Sequence, residues 1–196
     1  MSTALKTLLA SEPLDLAAVA AHLDALEPTA RVDAVRTING REQKRLWDAA
    51  EGRGATLADL VPEGTEATQE VINFGKNSLP VFTHFEKRMC RVPGEDDKLY
   101  GYNEGATRPF VGPGYFVAHD FPERGEVGID YMQVPPDDAP LPEGWPAIKP
   151  NESGVQRFVY AGMIDYMRKV SEKVTIGRAF KGGEKDLGHT FLLCRH

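Results

Sequence analysis

The stretch 81-VFTHFEKRMCRV-92 carries the aromatic and β-branched residues of a strand. Successive side chains of a strand point to opposite sides. One face therefore holds Phe82, His84, Glu86, Arg88, Cys90 and Val92, and the other Val81, Thr83, Phe85, Lys87 and Met89. If the first face looks inward, Glu86 lies between an imidazole and a guanidinium, paired as burial requires. Arg88 would then bind a small anionic or hydroxylated molecule, with His84 as acid or base. If the second face is the core, the charged face is wet, as in many antiparallel sheets, and Lys87 snorkels at an edge.

Working outward, this texture continues through the C-terminal two-thirds of the chain. Runs rich in Val, Ile, Phe, Tyr and Thr occur at 70–75, 80–92, 98–103, 114–120, 127–134, 155–170, 173–182 and 189–196, separated by Gly, Pro, Asn and Asp clusters. They predict an antiparallel β barrel or strongly curved β sheet of about eight strands. Gly182-Gly183 suits the last hairpin turn. The segment 155–170 also has a helical reading around 162–173, but its aromatic content favours strand. The stretch 135-PPDDAPLPEGWPAIKP-150 has six prolines in sixteen residues, which excludes a regular element and predicts an extended loop. A loop this long in a compact domain is a lid, a binding loop or a disordered insert, and Trp145 would either anchor a partner or subunit or tack the loop to the barrel.

The first third reads as helical. In 14–26, Leu16, Val19, Leu23 and Leu26 recur at intervals of three and four after Asp15. Pro28 suits the first turn of a helix over 28–38, and Asn39 with Glu42 forms a capping box for 40–51. A last turn follows at 56–60. Helices this short need a partner to pack on. The expected class is α+β: an N-terminal short-helix subdomain or cap over 1–62, then an antiparallel β domain over 63–196.

Composition narrows the function classes. The chain has 196 residues, 23 Lys and Arg against 29 Asp and Glu, and a formal net charge of -6. No basic segment is present to drive counterion release, so nucleic acid and anionic membrane surfaces are not expected partners. No apolar stretch approaches 18 residues and the N-terminus lacks the apolar region of a signal peptide, so the cytoplasm is the expected compartment. Cys90 and Cys194 are expected to be reduced and packed as small hydrophobes.

No catalytic motif appears. The five histidines, His22, His84, His119, His189 and His196, have no metal-ligand spacing, and no G-x-S-x-G or C-x-x-C occurs. No metal is expected and no cofactor is indicated. The residues singled out for ligand binding are His84, Glu86, Arg88, Tyr115, His119 and Tyr131, the tyrosines because several facing one cavity would suit an aromatic ligand. The favoured reading is a barrel-like protein that binds a small molecule or a protein partner. An enzyme acting on a small polar or anionic substrate through His84, Glu86 and Arg88 is the second. A protein that self-associates through a sheet edge or the 135–150 loop is the third.

Overall fold

The computed structural model describes residues 3–80 and 83–196, so Val81 and Phe82 of the quoted stretch lie outside the described residues. Eight antiparallel strands follow one another: β1 (Val71–Asn77), β2 (His84–Val92), β3 (Glu95–Glu104), β4 (Phe116–Phe121), β5 (Glu126–Asp130), β6 (Met163–Lys169), β7 (Val174–Lys181) and β8 (Lys185–Arg195). Each pairs with the next, and β8 returns to β1 with Phe74 opposite Cys194, closing an up-and-down barrel. Closure leaves no edge strand exposed.

Inside, large rings cross the lumen over glycines. A Cβ on Gly101 would stand 2.4 Å from the Phe116 ring and one on Gly177 2.2 Å from the Phe191 ring, so any larger residue would displace them. Met89, Leu99, Phe116, Ile129, Met167 and Leu193 fill the lower lumen.

The helices α1 (Thr3–Ala10), α2 (Leu16–Asp24), α3 (Pro28–Arg36) and α4 (Gly40–Ala49) cover the outer wall, mainly along β1, β7 and β8. Asp15 accepts from the Ala18 backbone N–H at 3.0 Å and caps α2, and Asn39 with Glu42 forms the capping box of α4. Leu5, Leu9, Val19, Leu23, Ile38 and Leu46 make one apolar cluster with Ile164, Val174, Ile176, Leu192 and Cys194 of the barrel wall. This burial is what short helices require. A fifth helix, α5 (Leu57–Leu60), plugs one end: Leu57, Leu60 and Val61 join the lumen cluster, and Asn73 and Arg91 donate to the carbonyls of Leu60 and Val61.

The strand run read over 127–134 ends early, since β5 stops at Asp130, and a second run begins late. Residues 155–162 are not strand: Val155–Phe158 is a single 3-10 turn, Gly162 has φ +68°, and β6 begins only at Met163. The Gln156 side chain holds this segment, donating to the Pro150 carbonyl and accepting from the Gly114 N–H. The helix α1 falls within the helical first third, whereas the helical turn α6 (Arg108–Val111) lies where no element is expected. The proline-rich segment runs as an extended strap, with Ala139, Leu141 and Trp145 covering the outward-facing Cys90, Val92, Tyr100 and Val117 of β2, β3 and β4.

Candidate functional site

The facing of β2 is resolved in favour of its second face. Phe85, Lys87 and Met89 point into the lumen, Met89 wholly buried and Lys87 2% exposed. Cys90 is buried as well, but outside the wall, under the strap. Lys87 is not at an edge and does not snorkel, because a closed barrel offers neither.

Its ammonium is held inside by two hydrogen bonds and one ion pair. Nζ lies 3.0 Å from Asn103 Oδ1 of β3, hydrogen-bonds the Tyr131 hydroxyl just after β5, and lies 3.5 Å from Asp165 Oδ2 of β6. Asn103 is fixed in turn by donating to the Gly114 carbonyl at 2.9 Å. The rings of Phe85, Phe116, Tyr131 and Phe191 surround Nζ with centroids at 4.9 to 5.6 Å. Such faces stabilise a cation electrostatically.

β2 and β6 stand on opposite sides of an eight-stranded ring, so the Lys87 and Asp165 pair forms a crossbar through the lumen. Below it lies packed apolar core and the α5 plug. Above it lies a cavity of about 420 Å³, within the roughly 300–1,000 Å³ of small-molecule sites. Lys87, Asn103, Tyr131 and Asp165 line its polar floor, and Phe85, Tyr160, Met163, Ala179 and Phe191 its walls. Its mouth is bordered by Arg108, Val111, Phe158, Val159 and Leu187. Phe158 is 78% exposed there, and nearby Phe110 is 82% exposed.

Burial governs the protonation of the floor. Desolvation pulls the Lys87 amine down to about 8, opposed by the attraction of Asp165. It pushes the Asp165 carboxyl up, again opposed by Lys87. Burial raises Tyr131 far above the ordinary phenol range and takes Tyr160, stacked on Tyr131 at 5.3 Å, up to about 12. Both phenols stay protonated at neutral pH, and the Tyr131 hydroxyl accepts from Lys87 while donating to Asn103 Oδ1 at 3.3 Å.

The structure separates the six residues chosen from sequence. Tyr131 lies on the cavity floor, and His84 lines its mouth, its pKa lowered by burial and then by Arg36 and Lys76. Glu86 and Arg88 lie on the outer wall, where Arg88 pairs with Glu86 at 2.8 Å and Glu70 at 3.4 Å. Tyr115 is buried beneath the strap, its hydroxyl donating to the Pro146 carbonyl at 2.6 Å. His119 stacks on Phe121 at 4.5 Å, with Nε2 3.6 Å from Asp130 Oδ2. None of these four lines the cavity. Among the described residues no group of three or more His, Cys, Asp or Glu is placed to hold a metal ion, and no helix is long and apolar enough to cross a membrane.

Lys87, Asn103 and Asp165 were missed. Their signal was nonetheless in the pattern: Lys87 alternates with Phe85 and Met89, and Asp165 with Met163 and Met167. Each is a lone charge flanked at both second neighbours by apolar residues, on two strands and of opposite sign.

No protein-family model, no curated protein and no solved structure matches the chain.

Proposed function

We propose that the protein binds a small, mostly apolar molecule in the upper half of the barrel, with one neutral polar group of the ligand on the Lys87 and Asp165 floor. The observation that carries this reading is the juxtaposition of an open 420 Å³ cavity with a buried polar cluster on its floor. Buried polar clusters in an otherwise apolar lumen are expensive to build, and this one stands where a ligand would end.

Charge arithmetic selects the polar group. Lys87 and Asp165 together are neutral, so a carboxylate or phosphate entering the cavity would place a second anion beside Asp165 against a single ammonium. In a low-dielectric site that repulsion is not screened. A carbonyl or hydroxyl avoids it, accepting from Lys87 or Tyr131, or donating to Asp165. This favours a neutral ligand over the anionic one suggested by the outward face of β2. The apolar residues Phe158, Val159 and Leu187 at the mouth suit an apolar body passing inward.

The test is binding of prodan, a neutral naphthalene ketone whose emission shifts to the blue in apolar surroundings. A blue-shifted, saturable complex is expected, abolished by Ala179→Phe, which fills the cavity, and not reproduced at equal affinity by the anionic dye anilinonaphthalene sulfonate. Equal binding to the wild type and to Ala179→Phe would sink the reading.

A further inference from the structure

We propose that Lys87 forms a reversible imine with an aldehyde or ketone carbonyl of a ligand held in the barrel. This rests on the cavity reading above and names the ligand's reacting group.

Four observations converge. First, the amine faces the cavity: Lys87 is 2% exposed, yet it lines the cavity floor. Second, it is aimed: hydrogen bonds to Asn103 and Tyr131 and the ion pair with Asp165 fix Nζ at the end of an otherwise flexible side chain. Third, a proton carrier sits beside it. The Asp165 carboxylate, 3.5 Å away, is buried on the same floor with no cation other than Lys87 within salt-bridge distance among the described residues. Fourth, Phe85, Phe191 and Met163 give the cavity apolar walls beside the floor, which suit the apolar body of a carbonyl ligand. Desolvated lysines in apolar pockets are activated as amine nucleophiles. The depressed proton affinity of Lys87 accords with this geometry.

The step balances with the groups present. Asp165 takes one proton from the Lys87 ammonium, leaving a neutral amine beside a neutral acid. The nitrogen lone pair attacks the carbonyl carbon and the C=O π pair moves to oxygen. A nitrogen proton passes to that oxygen, giving a carbinolamine. Protonated Asp165 then donates to the carbinolamine hydroxyl, the C–O bond breaks, water leaves, and the nitrogen lone pair closes the C=N bond. The product is a protonated imine paired with the Asp165 carboxylate, so the floor keeps its net charge. Tyr131 and Asn103, which hold Nζ beforehand, orient the nitrogen. No oxidant or reductant takes part.

The experiment traps the imine with cyanoborohydride. The wild-type protein is incubated separately with naphthaldehyde and with decanal, reduced, digested and mapped by mass spectrometry. The expected result, with at least one aldehyde, is a secondary-amine adduct on the peptide containing Lys87, formed about tenfold or more faster than on exposed Lys44 and Lys185 and suppressed by excess prodan. Intact-mass analysis of Lys87→Met should show loss of the fast adduct; mapping of the wild type gives the answer even if that variant folds poorly. If both aldehydes compete with prodan but label only surface lysines, the imine is excluded while the cavity reading stands. If prodan does not bind and Lys87 stays unlabelled, both readings fail together.

Discussion

Lys87 and Asp165 meet across the lumen from opposite sides of the barrel, Nζ and Oδ2 3.5 Å apart with 2% and 8% of their side chains exposed. Two charges buried this deeply hold each other in place but do not by themselves favour folding, since desolvation offsets their attraction. Removing one partner should therefore cost far more than removing both. Lys87→Met and Asp165→Leu are each expected to destabilise by about 3 kcal/mol, while the double variant stays within about 1 kcal/mol of the wild type. Urea unfolding of the four proteins measures the cycle, and additive losses in the double variant would show that the pair is not coupled.

The same burial makes a statement about pH. Lys87 titrates near 8 when folded against an ordinary 10.5, so between those values the unfolded chain binds more protons. The contribution of Lys87 to stability therefore rises as pH climbs through 8 to 10.5, by at most about 3 kcal/mol. Asp165 has the opposite sign: its carboxyl is raised above 3.8, so the folded chain binds more protons just above that value and its contribution falls as pH rises from there. Carbon-detected titration of the Lys87 side chain should show a midpoint about two units below those of the exposed lysines, and Asp165→Asn should lower it further. A midpoint near 10.5 would refute the desolvated site.

What could be read from sequence divides along physical lines. Barrel and helices were legible because alternation and caps are local: Asn39 and Glu42 name the start of α4 without any tertiary knowledge. The inward parity of β2 was not, because both of its faces are buried in part. Lys87 and Met89 go to the lumen, and Cys90 and Val92 go under a strap that begins more than forty residues later in the chain. A face covered by a loop looks, in sequence, like a face covered by the core. The run 155–170 carries a strand-like pattern beyond its strand for a related reason. Val155, Phe158 and Val159 resemble strand residues, yet all three stand exposed, Phe158 and Val159 at the cavity mouth, where apolar character reflects position and not pairing.

The mouth supplies a prediction that separates binding from folding. Phe158 is 78% exposed and touches the cavity, so the fold gains little from it. Phe158→Ala should leave the urea midpoint essentially unchanged while weakening prodan binding several-fold, as expected when the dye buries less apolar surface, worth roughly 1 kcal/mol. Titration of the dye into the wild type and the variant reads this directly. Unchanged affinity would place ligand passage elsewhere.

On the outer wall the opposite pattern is expected. Arg88 lies among Glu86 and Glu70 with about a quarter of each side chain exposed. Solvent-screened pairs contribute about 0–1 kcal/mol. Glu86→Gln and Arg88→Ala should therefore shift stability by no more than about that amount and leave both prodan affinity and aldehyde labelling untouched. A large loss of binding in Arg88→Ala would return the outward face of β2 to the site.

The strap can be tested through the thiol it covers. Trp145 packs against Tyr102 and Tyr115 at 4.9 and 6.3 Å between ring centroids, and its indole N–H donates to Glu70 at 2.6 Å. Beneath this anchored strap Cys90 is fully buried, with burial pushing its thiol up to about 12. Thiolate, not thiol, reacts with disulfide reagents, so native Cys90 should be nearly inert. Trp145→Ala removes the anchor, and the cost should be about 1–3 kcal/mol. Because the strap lies outside the wall, the lumen is untouched: Cys90 should become reactive toward Ellman's reagent while prodan still binds with wild-type affinity. Cys194 is the internal control, since it is buried among the helices on the other side of the barrel and should stay protected. Faster reaction at both thiols would mean global loosening. Reaction at Cys90 alone would establish that the strap opens independently of the barrel it crosses.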